Sequence, residues 1–288
     1  MMIKLFKEKL AEFDGAELVI AVADVSFEFR ENTLYPNLCV RHKDYGLISP
    51  LSGRTLATLP EIHLAKRMGC EITYHEAFII DSKDGFVYRK HLKKLIDDRN
   101  QAKKDGNKLM DQMLKLYVNT LYGKVAQGIS VKKGYDLREE GTKELGTCPI
   151  SQAYFATMIT GTLRAALSAL LVAIDELNQA GFNYLPISAT TDGMLYGVAP
   201  ECEIDFKDVV RDEFHDDIFG AIESGDNVFK SFAEVDPILF NKLQEFPVLR
   251  MLQQSRASWG YDDFIEIKHA VNEVLNVKTR GQVGAYRE

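Results

Sequence analysis

Lys115-Leu-Tyr-Val-Asn119-Thr-Leu-Tyr122-Gly123-Lys124 is the stretch on which the reading of this chain turns. Residues 115, 119 and 122 are spaced i, i+4 and i+7, so a cation, an amide and a phenol share one face of a helix. Those groups are poor core material. The same segment carries Leu109, Met113, Leu116 and Leu121 at helical spacing, which predicts a helix over 108–122. Residues 91–104 read as a second helix, with Arg99 and Lys103 one turn apart, and Asp105-Gly106-Asn107 breaks the pattern between the two. The expectation is a helical hairpin with a tight tip, folded so that its two basic faces approach each other. An Arg fork and Lys ammoniums so gathered suit a triphosphate. A solvated basic helix pair is the plain alternative.

Charge along the chain agrees with a special role for this hairpin. Residues 89–108 hold eight Lys/Arg against three Asp, whereas 197–245 hold 13 acids against four bases. The formal net charge of -7 over 288 residues therefore hides a basic middle and an acidic later third. Such asymmetry points to polyanion binding by one face. Hydrophobic residues at 46% exclude intrinsic disorder. The longest apolar run, 165–174, is interrupted by Ser168 and is shorter than the roughly 18 residues of a membrane span. Charges inside the apolar N-terminal stretch argue against a secretory signal. Cys39, Cys70, Cys148 and Cys202 form no CxxC pair, which predicts free thiols, a cytoplasmic location and no zinc site.

Outward from the hairpin, 18–29 reads as a strand rich in β-branched and aromatic residues, and 35–41 as a second, shorter one. Residues 50–53 read as a turn. Thr58-Leu-Pro60-Glu61 is a capping box that opens a helix to about Met68. Residues 71–80 alternate like a strand. Residues 151–180 form a long apolar helix stopped by Gly181, and 184–196 read as a β-hairpin around Thr190-Thr191-Asp192-Gly193. The region 201–245 is helical in character, and 264–277 reads as strand. Two acids, Asp24 and Asp192, sit within strand patterns where burial is costly. Edge or turn placement accommodates either acid alone. Brought together, the two carboxylates would repel unless a divalent cation joined them.

The segment 115–124 resembles the fingers motif K-x-x-x-N-S-x-Y-G-K of family B DNA polymerases, with Thr120 in place of Ser. Arg99 and Lys103 resemble that family's triphosphate-binding pair. Thr190-Thr191-Asp192-Gly193 is similar to the D-T-D-S palm hairpin, with Thr for the first Asp and Gly for Ser. Asp24-Val-Ser-Phe-Glu-Phe29-Arg30 resembles the D-x-x-S-L-Y-P palm strand, with Arg30 where the family has Pro. A register built on Tyr35-Pro36 would instead place Arg30 at the acidic position, so the Asp24 register is preferred. Lys278-Thr279-Arg280-Gly281 is similar to the K-x-Y-type motif. The motifs follow the family's order, and the flavour is that of the viral, plasmid and organellar branch.

The resemblance implies template-directed DNA synthesis, in which a deoxynucleoside monophosphate is added to a primer 3′ end by two-metal phosphoryl transfer. Asp24 and Asp192 would be the catalytic metal ligands, holding two Mg2+ ions, for which Mn2+ could substitute. Arg99, Lys103 and Lys115 would take the triphosphate, Asn119 would position it, and Tyr122 would pack at the nascent base pair. Phe29 would lie under the sugar, and the backbone amides of 25–29 would reach the phosphates. Gly123, Lys124, Lys278 and Arg280 would meet DNA. Arg164 would form an ion pair beneath the metal-binding acids.

The implied fold is α/β of the α+β kind: an antiparallel palm sheet carrying both acids, backed by helices, with a two-helix fingers hairpin. The palm would occupy 1–88 and 129–288, the latter running on to the start of a thumb-proximal region, and the fingers 89–128. With 23 residues before Asp24 and an end at Glu288, the expectation is a core without exonuclease or thumb. The partners implied are primer-template DNA and dNTPs, joined by separate exonuclease and thumb chains or a terminal protein, with no membrane. A non-catalytic DNA-binding remnant, one subunit of a split polymerase and a reverse transcriptase are the alternative readings.

Overall fold

The computed structural model describes residues 1–16, 19–80, 88–128, 133–144, 146–189, 194–198, 229–231, 236–257 and 266–268. Helix α1 (Met2–Ala11) leads into β1 (Ile20–Glu28). The short strands β2 (Val40–His42) and β3 (Gly46–Ile48) follow, then β4 (Ser52–Thr58), α2 (Leu59–Arg67) and β5 (Glu71–Ile80). The helical hairpin is α3 (Arg89–Lys104) and α4 (Lys108–Val125), followed by β6 (Lys133–Asp136) and β7 (Gly141–Glu144). The long helix is α5 (Ala153–Gln179), and β8 (Tyr184–Ala189) and β9 (Met194–Val198) make the second expected hairpin. Beyond it come β10 (Phe229–Ser231), α6 (Pro237–Leu243), α7 (Pro247–Ala257) and β11 (Glu266–Lys268). Helices combined with antiparallel sheet place the fold in the expected mixed class.

Strand β1 is the middle of an antiparallel sheet ordered β4-β1-β5. Its sequence changes character along its length because its cover changes. Ala21, Ala23, Val25, Phe27 and then Phe29 point into the main core, with Phe6 and Leu10 of α1 and Leu59 and Ile62 of α2. On the other face Ile20 and Val22 lie under Tyr154 and Met158 of α5, so the strand starts as a continuous apolar run. Past the reach of α5, that face carries Asp24, Ser26 and Glu28, and the pattern becomes alternating. The Tyr154 hydroxyl lies 3.1 Å from both the Ile20 and the Phe78 carbonyls, which ties α5 to β1 and β5. Burial pushes that phenol up to about 12.

The turn expected at 50–53 is replaced at its second half by β4, which begins at Ser52. Ser52-Gly53-Arg54-Thr55 has little strand propensity, and only its last two residues, Ala57 and Thr58, are buried. The strand expected over 35–41 shrinks to three residues paired with β3. The capping box forms as read: Thr58 and Glu61 exchange bonds at the start of α2, with Pro60 in the first turn. Gly69, at φ 78°, ends that helix in the left-handed region.

Helix α5 reaches 27 residues, long and apolar enough by composition to cross a membrane, although the run 165–174 alone is not. Half of its most apolar window is buried within the protein, and it packs against α2, β8, α6 and α7. It also carries Arg164, whose Nε donates to Glu61 Oε1 at 2.9 Å. Glu61 is 2% exposed, and its other oxygen accepts from the Thr58 amide and hydroxyl. Burial pushes the Glu61 carboxyl up, against the pull of Arg164 and Thr58. The ion pair expected of Arg164 exists, and its partner is the buried acid at the N-terminus of α2.

The structure corrects the expectation of one palm sheet bearing both acids. Among the described residues, strands β8 and β9 pair with each other and not with β4-β1-β5. Of the strand expected over 264–277, the described residues show β11, paired with β10. Most of the helical region expected over 201–245 lies outside the described residues; of the described part, Pro237–Leu243 is helix α6 as expected, whereas Phe229–Ser231 is strand β10.

Candidate functional site

The hairpin of α3 and α4 forms as the spacing requires. Gly106 sits at φ 67° at the tip, a conformation that a side chain disfavours. The Asn107 side chain accepts from the Met110 amide at 3.1 Å, opening α4. Lys115 and Asn119 are exposed on the face that the spacing defined, and Lys103 is exposed on α3. Tyr122 lies in α4 three residues beyond Asn119, and Gly123 and Lys124 follow it in the same helix. The Lys124 ammonium donates to Gln127 Oε1 at 2.8 Å.

Two features of the hairpin depart from the expectation. Arg99 does not face a second cation: its Nε donates to Asp111 Oδ1 at 2.7 Å, with both side chains about 30% exposed. Asp111 is one turn before Lys115, so a carboxylate occupies the end of the basic face and holds the arginine between the helices. The apolar set Leu109, Met113 and Leu116 is 57–70% exposed. Helical periodicity identified the helix correctly, and these three apolar residues stand on its exposed part.

Asp24 is well defined. Arg54 grips it in a fork, Nε on Oδ1 at 3.0 Å and Nη2 on Oδ2 at 2.6 Å. The hydrogen bond from that guanidinium holds the Asp24 carboxyl below the usual carboxylate range. Across the sheet its registered neighbours are Leu56 and Glu76, and next to it the Ser26 hydroxyl lies 2.8 Å from His75 Nε2. No group of three or more His, Cys, Asp or Glu suited to a metal occurs among the described residues. Both Asp24 oxygens therefore already accept from a guanidinium, one bond each. Sequence reading missed Arg54 because it lies 30 residues away on an adjacent strand.

Phe29 is corrected outright. It is 4% exposed, in the main core, with its ring edge-on to Phe27 at 5.8 Å. Phe29 continues the inward alternation of β1 one residue past the end of the strand, so its ring is covered by the core rather than open to a sugar. Strand β1 lies between β4 and β5, and the Phe29 amide donates to the Leu51 carbonyl at 2.7 Å. Residues 25–28 lie in the ladder between β4 and β5.

Asp192, Lys278 and Arg280 lie outside the described residues. The hairpin that carries Asp192 is described up to its last pair, Ala189 with Met194. Its arms are anchored by an acid that sequence reading passed over. Asp236 is fully buried and accepts the Tyr184 hydroxyl at 3.1 Å, the Tyr196 hydroxyl at 3.0 Å and the Leu239 amide at 2.9 Å. The only signal available in sequence is Asp236-Pro237, a helix N-cap followed by a first-turn proline.

Comparison with known proteins adds the following. A family model described as DNA polymerase type B, organellar and viral, matches residues 16–158. The matched span holds Asp24 and the whole α3–α4 hairpin and stops short of Asp192. The primer-independent DNA polymerase PolB of Escherichia coli is 34% identical over 186 residues, 62% of this chain and 21% of that protein. Two structures of phi29 DNA polymerase are similar at 16% and 17% identity, with TM-scores of 0.42 and 0.43. One holds primer-template DNA with incoming nucleotide substrates and the other primer-template DNA. They cover 66% and 68% of this chain, which spans about a third of theirs. The chain therefore spans about a fifth of the length of the curated relative it matches. Over residues 16–158, the chain is similar to the organellar and viral type B DNA polymerases.

Proposed function

We propose that this chain contributes the nucleotide-binding fingers and part of the palm of a DNA-directed DNA polymerase, with dNTPs and primer-template DNA as its ligands. The observation that carries the reading is the face of α4 on which Lys115 and Asn119 stand exposed, inside the segment that matches the family. Lys103 adds a second exposed cation from α3. Together they neutralise a triphosphate, and Asn119 offers it an amide. Arg99 joins when an incoming polyanion draws it from Asp111. Tyr122 packs at the base pair, and Gly123, Lys124, Lys278 and Arg280 meet DNA. The palm at 1–88 and 129–288, the fingers at 89–128 and a cytoplasmic setting belong to the same proposal.

The finer proposal is two-metal phosphoryl transfer, with Mg2+ or Mn2+ supplying charge at the reacting phosphate. Asp192 is the carboxylate offered to the metal. Asp24 was the second by resemblance, and the Arg54 fork favours for it the role of a strand-to-strand ion pair, so no step is routed through it. The PolB relative is named primer-independent, whereas the reading from sequence was primer extension. Reactions with and without primer separate the two. The second reading, a DNA-binding segment without catalysis, draws support from the engagement of Asp24 by Arg54.

The test combines binding and turnover. Labelled dNTP titrated against the chain and its Lys115→Ala variant should show affinity falling about tenfold in the variant; equal affinities would remove α4 from the site. Primer extension should vanish in Asp192→Ala and survive in Asp24→Asn. Loss of extension in Asp24→Asn with an unchanged melting temperature would return Asp24 to the metal site. DNA binding with no extension by the parent would favour the second reading.

A further inference from the structure

Asp236 is a carboxylate at 0% exposure, and its hydrogen-bond partners among the described residues are uncharged donors. Burying such a group is expensive, and a cap for a short helix is available at far lower cost from a surface Ser or Thr. What the burial achieves is directional. Oδ1 takes the phenol of Tyr184, at the first residue of β8, and the Leu239 amide; Oδ2 takes the phenol of Tyr196, in β9. One rigid carboxylate thus holds both arms of the hairpin. The two rings lie 6.0 Å apart, tilted at 44°. Tyr184 is fastened again through its backbone, its amide donating to Asn178 Oδ1 at 2.7 Å and its carbonyl accepting from Asn178 Nδ2 at 2.8 Å. Burial, and then the adjoining carboxylate, push the Tyr196 phenol far above its ordinary range, so it stays a proton donor. The hairpin thereby takes its position from α5 and α6 together. Its own pairing shifts register between Pro186 and Ser188, an irregularity that bends the strand next to the anchored end.

We infer that Asp236, with Tyr184 and Tyr196, is a positioning clasp that sets the β8–β9 hairpin, and through its arms the carboxylate of Asp192 four residues before Tyr196. The link to Asp192 rests on the function proposed above; the clasp itself does not. Tyr196→Phe removes one hydroxyl and keeps the ring, so packing is conserved.

The experiment measures amide hydrogen exchange and dNTP incorporation on the full chain for the parent, Tyr196→Phe, Tyr184→Phe, the double variant and Asp236→Asn. The expected result is exchange about tenfold faster in β8 and β9 with α1 to β5 unchanged. The kcat should fall by about the same factor with KM for dNTP retained. The double variant should be no worse than Asp236→Asn, because all three act through one carboxylate. Unchanged exchange at β8 and β9 in Tyr196→Phe would overturn the clasp, as would equal acceleration across the whole protein. Faster local exchange with kcat unaltered would keep the clasp and refute its link to Asp192. A parent that incorporates no dNTP would refute the proposed function, and exchange would still decide the clasp.

Discussion

Replacing Gly161 by alanine probes the joint between α5 and the start of α2. A Cβ built there would lie 2.4 Å from Thr58 Cγ2, 2.7 Å from Glu61 Oε2 and 2.9 Å from Thr58 Oγ1. Carbon atoms rest at about 3.5–4.0 Å, so α5 must retreat by about an ångström. The neighbours cannot yield, because Thr58 and Glu61 are buried and bonded to each other in the capping box. Overpacking of this kind costs about 1–3 kcal/mol, and spoiling the cap about 1 kcal/mol more. Alanine returns about 1 kcal/mol through helix propensity. The net is a destabilisation of about 2 kcal/mol, which for a chain of this size lowers the melting temperature by about 3 °C. Gly123→Ala in α4 is the matched control: its Cβ meets nothing among the described residues within 4 Å, and it should raise stability by up to about 1 kcal/mol. Thermal and urea unfolding followed by circular dichroism measure both. A Gly161→Ala protein that melts at or above the parent would refute the close approach of α5 to the capping box.

Two further outcomes follow from the charges and thiols. Arg67 and Lys242 both bond Glu176, joining α2, α6 and α5; burial alone would raise the Glu176 carboxyl, but those hydrogen bonds prevail and hold it below its reference of 4.5. A carboxylate lowered in the folded state lends stability that is present above pH 4.5 and is lost as pH falls through the folded value. The melting temperature of Glu176→Gln should therefore fall less steeply than that of the parent below that pH, and parallel profiles would exclude the network as a source of acid lability. Alkylation by iodoacetamide, read by mass spectrometry, should label Cys148 before Cys70: the Ser151 hydroxyl lowers the Cys148 thiol, while burial raises Cys70 to about 11. Equal labelling rates would contradict that ordering.

Local chemistry was legible in the amino-acid sequence, because each signal is completed within a few residues. The capping box at Thr58 and Glu61, the strand over 71–80, the glycine tip at 106 and the shared face of Lys115 and Asn119 all appear in the structure as read. Their determinants are side chains one helical turn apart, strand alternation and a backbone that needs φ > 0. The motif over 115–124 went further and carried the family, which the comparison bears out over residues 16–158.

What tertiary structure alone decided are the partners that arrive from a distance. Arg54 reaches Asp24 across 30 residues, Asp111 takes Arg99 across 12, and Tyr196 and Tyr184 meet Asp236 across 40 and 52. Each of these pairings changes what a carboxylate is free to do, and none leaves a periodic trace in the sequence. The same holds for Phe29, whose aromatic character suited a sugar until the inward face of β1 claimed it, and for Leu109, Met113 and Leu116, apolar yet exposed. Periodicity reports that a helix or strand has two faces; which face is covered, and which charge finds which, depends on elements packed from elsewhere in the chain.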